Sequence, residues 1–107
     1  DGEGPDGVVL TSSILQDRRG RPVQAMPLDR LRVPVLVVHH AQDGCRACPF
    51  AATGELMARL AHLKRHELLA IEGGISTGDP CGAFAHHGYN GREREVVESI
   101  VAWMLAR

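Results

Sequence analysis

Val33-Pro34-Val35-Leu36-Val37-Val38 decides the fold. The stretch is β-branched and apolar at successive positions, so both faces of a strand here are dry. That is the pattern of a strand in the middle of a parallel sheet. Pro34 fits among its first residues, where no ladder hydrogen bond is yet required. This is also the longest apolar run among the 107 residues. A membrane-spanning helix needs about 20 such residues, so none is expected.

Upstream, Pro27-Leu28-Asp29-Arg30-Leu31 reads as a single helical turn. Residues 14–26 mix charge, Gly20 and Pro22 without periodicity and read as loop. Within them Asp17-Arg18-Arg19-Gly20-Arg21 reads as a solvated turn, an anion-binding patch being the alternative. Val8-Val9-Leu10 reads as a short buried strand, and residues 1–6 are expected to be flexible.

Downstream, Leu56, Met57, Leu60 and Leu63 recur at helical spacing and predict a helix over 50–63, weakened near its start by Gly54. Glu67-Leu68-Leu69-Ala70-Ile71 is a strand, and the Gly-rich stretch 73–80 is a loop by composition. A last helix is expected over 92–105, with Val96, Val97, Ile100, Trp103 and Met104 buried and Glu93 and Glu95 suiting its amino-terminal dipole.

The predicted order is strand, connection, strand, helix, strand, helix. Alternation of this kind implies parallel strands joined by crossovers. One α/β domain over 1–107 is therefore expected, with about three strands and two main helices. Three strands leave exposed edges, which points to further sheet from elsewhere, a partner chain or self-association.

Apolar content of 44% and charge of 23% are those of an ordinary globular domain. A net charge of −1 supplies no electrostatic case for nucleic acid or an anionic membrane. The chain opens Asp1-Gly2-Glu3-Gly4-Pro5, without Met and without the basic and apolar regions of a signal peptide. It is expected to be a processed or excised piece.

The reactive residues gather on two loops that each follow a strand. The first holds Asp43, Cys45 and Cys48; the second holds Cys81, His86 and His87. Ligands of parallel α/β sheets bind beyond the carboxyl ends of the strands, where both loops lie. Asp43 could orient an imidazole on a neighbouring loop, or be a simple turn residue before Gly44. An imidazole at 86 or 87 could act as general base and acid. His39 and His40 end the buried strand and read as structural, and His62 and His66 as surface residues.

Three cysteines leave three readings open. Cys45 could pair with Cys81, tying together loops that end neighbouring strands, with Cys48 spare. Cys45, Cys48, Cys81 and a histidine could form a Cys₃His zinc site. Alternatively Cys45-Arg46-Ala47-Cys48, between a strand and a helix, locally resembles a thioredoxin redox motif. No Trp precedes Cys45, however, and no X-Pro stands where that family's cis-proline belongs.

Taken together, the ordered motifs resemble the C-terminal part of an α/β-hydrolase. In that family the last strands carry the acid and then the histidine of a Ser-Asp-His triad, in that chain order. Pro34-Val35-Leu36-Val37-Val38-His39-His40-Ala41-Gln42-Asp43 resembles the penultimate strand, "PVLVxHGxxD", with His40 in place of its Gly. Ile100-Val101-Ala102-Trp103 resembles the end of the final helix. The resemblance covers nearly the whole chain. It implies the C-terminal portion of a doubly wound, mostly parallel sheet, with catalytic Asp43 and His87 (His86 as the alternative), no cofactor and no metal. The substrate would be a small ester or amide, with no nucleic acid or membrane as partner. No Gly-x-Ser-x-Gly occurs, since Ser12, Ser13, Ser76 and Ser99 all lack that setting. The nucleophile is expected from residues outside this sequence, and the chain alone is expected to be inactive. A non-catalytic α/β binding or assembly module is the alternative. The expected disulfide favours a periplasmic or secreted location, a cytoplasmic one staying open.

Overall fold

A computed structural model of the chain describes residues 5–17 and 21–106. The flexible segment expected at 1–6 and the turn expected at 17–21 lie largely outside them. Three strands form one sheet: β1 (Val8–Thr11), β2 (Val35–His40) and β3 (His66–Ile71). Their spatial order is β1-β2-β3 and both pairings are parallel. Helix α1 (Thr53–Arg59) connects β2 to β3, and α2 (Glu93–Leu105) follows β3.

The decisive stretch is the central strand, buried at every position from Val35 to His40. Its alternate side chains feed two cores. Val35 and Val37 pack with Leu56, Leu60 and Leu63 from the α1 segment and with Leu15 and Leu28 from the β1–β2 connection. Leu36 and Val38 pack on the other face with Ile71, Val96 and Trp103. This is why β2 has no polar face: each side has its own helix.

The helices differ from expectation in two respects. The stretch 50–63 contains only seven residues of α-helix, preceded by a 3₁₀ turn at Phe50–Ala52 that Thr53 Oγ1 secures by donating to the Phe50 carbonyl (2.7 Å). Leu60 and Leu63 reach the core from the turns that lead back to β3. On α2 the packed stripe is Val96, Ile100 and Trp103, at spacings of four and three. Val97 and Met104 fall one position beyond it and are exposed, not buried as expected. His66 is half-buried at the start of β3 rather than a surface residue, its Nδ1 2.8 Å from the Leu63 carbonyl.

All three strands end at the same edge of the sheet. His40 is in register with Ile71, and the Ala41 N–H extends the ladder to the Ile71 carbonyl (2.8 Å). On the other side, the Ser12 N–H donates to the Val38 carbonyl (3.0 Å). The segments after β1, β2 and β3 therefore meet over one short stretch of surface.

Candidate functional site

Asp43 follows β2 by three residues, and its side chain is fully buried. Its Oδ1 accepts the Cys45 N–H (2.9 Å), an Asx turn that fixes the carboxylate against its own loop. Its Oδ2 accepts Nδ1–H of His87 at 2.9 Å. His39 Nε2 is 3.4 Å from the same oxygen while it donates to the Cys48 carbonyl (2.7 Å). The carboxylate is thus desolvated but faced by three N–H groups, two of them on imidazoles. An ionised group in such a place is retained only with partners of this kind.

His87 lies in the 3₁₀ turn His86–Gly88 after β3, with about one-fifth of its side chain exposed. The Asp43 bond engages Nδ1 and so leaves Nε2 as the other ring position for proton exchange. His86 takes a different place: its ring stacks on His40 with centroids 4.2 Å apart, while the Asp43 carboxylate bonds to His87. His40 is held by both nitrogens, Nδ1 accepting the Gln42 N–H (2.9 Å) and Nε2 donating to the Gly73 carbonyl (2.8 Å).

The histidine turn is anchored by residues that sequence reading did not single out. Tyr89 has a left-handed backbone (φ 60°) and sends its hydroxyl back to the sheet. That hydroxyl donates to the Val38 carbonyl (2.9 Å) and lies 3.1 Å from the Ser12 nitrogen. Ser12 Oγ lies 2.7 Å from the His87 carbonyl and 2.9 Å from the Tyr89 hydroxyl. Ser12 and Tyr89 thereby join the ends of β1 and β2 to the turn after β3. Burial raises the Tyr89 hydroxyl above its ordinary pKa, with the Ser12 bonds acting in the opposite direction. A Cβ on Gly88 would collide with the Ala83 backbone, so the loop closes on itself only with glycine there. Nothing in the local sequence announces a tie between residues 12 and 89.

Cys45 and Cys81 form a disulfide, with Cα atoms 4.6 Å apart. Each half-cystine follows an Asx turn, Asp79 Oδ1 accepting the Cys81 N–H as Asp43 Oδ1 accepts that of Cys45. The bond links the Asp43 loop directly to the loop that leads to His87. Cys48 is the free thiol, and Cys45 is not paired with it as a CxxC redox motif would require. Cys48 is buried, its Sγ 3.5 Å from the Ser12 carbonyl. Burial, and secondarily the charge of Asp43, push its pKa from 9.0 up to about 11. A buried neutral thiol of this kind is a poor nucleophile. The sulfurs of Cys45 and Cys48 and a ring nitrogen of His87 lie within 4.8 Å of one another.

No known protein family, characterised protein or solved structure matches this chain. The Ser12 hydroxyl bonds to the His87 carbonyl and the Tyr89 hydroxyl, not to the His87 ring. Concave surfaces lined by Trp103, Arg65 and Pro34, and by His62, Lys64 and Arg32, lie away from the site and include neither Asp43 nor His87. No helix among the described residues is long and apolar enough to cross a membrane.

Proposed function

We propose that this chain is the acid–histidine portion of an α/β-hydrolase that cleaves an ester or amide. One observation carries the reading: the 2.9 Å bond between His87 Nδ1 and the fully buried side chain of Asp43. The two residues come from loops at the carboxyl ends of adjacent parallel strands. In this reading Asp43 fixes the tautomer of His87 and stabilises its protonated form. His87 Nε2 takes the proton of a nucleophile and later returns it to the leaving group. The nucleophile and the oxyanion donors come from residues other than these 107, in the remainder of a doubly wound sheet. The Cys45–Cys81 disulfide clamps the two loops and favours an oxidising location, periplasmic or secreted.

The test uses the gene product that carries this chain and a serine-directed fluorophosphonate. Covalent labelling is expected, and His87→Ala and Asp43→Asn should each lower kcat/KM by ~10²–10⁴-fold. Absence of labelling, or turnover unaffected by both substitutions, would overturn the assignment. That result would favour a non-catalytic α/β binding module, in which the same ion pair only joins two loops.

A further inference from the structure

Cys48 takes part neither in the disulfide nor in the Asp43–His87 pair, yet it is buried beside Cys45 and His87. We propose that reduction of the Cys45–Cys81 bond converts this cluster into a zinc site. Its ligands are Cys45, Cys48, His87 and Cys81. The inference does not depend on the hydrolase reading.

Three of the ligand atoms are already assembled, Sγ of Cys45, Sγ of Cys48 and a ring nitrogen of His87 lying within 4.8 Å of one another. Tetrahedral zinc with Zn–S of ~2.3 Å sets two sulfurs ~3.8 Å apart. The cluster therefore needs to contract by no more than about 1 Å. Cys45 and Cys48 sit at the ends of a single turn, closed by the Cys48 N–H to the Cys45 carbonyl (3.0 Å). Such a C-x₂-C turn is how zinc sites bring two thiolates together. The fourth ligand, Cys81 Sγ, starts one S–S bond from Cys45 and is exposed enough to swing. Asp43 accepts from Nδ1 of His87, the kind of carboxylate contact that orients a zinc-ligating imidazole.

The loops have reason to stay in place when the disulfide opens. His87 remains held by Asp43 through its ring and by Ser12 at its carbonyl, and Tyr89 remains tied to Val38. The reductant is a dithiol. It becomes a cyclic disulfide, and Cys45 and Cys81 each receive a hydrogen. Zn²⁺ then displaces one proton from each of the three thiols and accepts a lone pair from neutral His87. Whichever ring nitrogen binds, His87 is withdrawn from proton transfer. In the oxidised chain Cys45 has no thiolate to offer, so the disulfide and the metal exclude one another.

The experiment measures zinc per chain after dialysis, in oxidised and in dithiol-reduced protein, with cobalt(II) as a spectroscopic probe. Reduced protein should hold one equivalent, and the cobalt form should show tetrahedral d–d and thiolate charge-transfer bands. Oxidised protein should hold none tightly. Cys81→Ser, which keeps three of the four ligands, should bind without any disulfide to open, but more weakly than the reduced wild type. Cys48→Ser and His87→Ala should each weaken binding at least ~10-fold, the scale at which even a group outside the ligand set counts. His62→Ala should leave it unchanged. Less than half an equivalent in the reduced wild type, whether or not it stays folded, overturns the proposal. So does octahedral cobalt, or Cys48→Ser binding as tightly as wild type.

Discussion

Opening the Cys45–Cys81 bond should cost this chain a large share of its stability. The bond closes a loop with a sequence separation of 36. For a loop of that size, the chain entropy regained by the unfolded state amounts to ~4 kcal/mol at 25 °C. Typical stabilities of small domains are about 5–15 kcal/mol, so the loss is comparable with the whole reserve of a weak one. With 107 residues, the unfolding entropy near the midpoint is ~0.22 kcal/mol/K, and the melting temperature should fall by roughly 15–20 °C. The assay is a metal-free thermal melt, followed by far-UV circular dichroism, of oxidised protein, reduced protein and the Cys45→Ala/Cys81→Ala double variant. Chelator is present throughout, so that zinc cannot restore what reduction removes. Reduced protein and double variant should agree, and Cys48→Ala should not show this loss. A reduced protein melting within ~3 °C of the oxidised one would refute the clamp, as would three free thiols by intact mass in unreduced protein.

Further outcomes are expected at Cys48, Tyr89 and Leu60. With its pKa at about 11, Cys48 should be alkylated slowly in the native protein at neutral pH, the rate rising as pH approaches 11. The unfolded thiol ionises near 9.0 and the folded one does not, so stability should fall between pH 9 and 11, and Cys48→Ala should be flatter across that window. Tyr89→Phe removes one of the two donors to the Val38 carbonyl, the Ser12 N–H remaining, and should cost ~0.5–1.5 kcal/mol in urea melts. Faster hydrogen exchange at Ser12 would mark the same lost tie. Leu60→Ala empties a fully buried site under β2 and should cost ~2–5 kcal/mol.

Much of the fold was legible because its signals are local. An apolar, β-branched hexapeptide can be satisfied only between two covered faces, and β2 is buried at every position. Strand–helix alternation then implied parallel pairing, as the register from Val35↔His66 to His40↔Ile71 shows. Helical spacing was less informative about which side is covered. Val97 and Met104 have the right composition for a core, but α2 packs on the sheet through Val96, Ile100 and Trp103, and those two are exposed. Composition reports that a helix has an apolar side; the position of the sheet selects the stripe.

At the site, the sequence by itself determined which residues could react and that two loops would carry them. Chain order and the ends of parallel strands settle that much. The expected Cys45–Cys81 disulfide is present, with Cys48 as the spare thiol, and Asp43 bonds to His87, the histidine already favoured over His86. Only the tertiary structure stacked His86 on His40 and buried Cys48. It also brought Ser12 and Tyr89, 77 positions apart, into one tie. The sequence ranks adjacent histidines but does not place their rings, because hydrogen bonding depends on ångström-scale distance and ring direction. Those are set by the turn at His86–Gly88 and by side chains that reach it from distant strands.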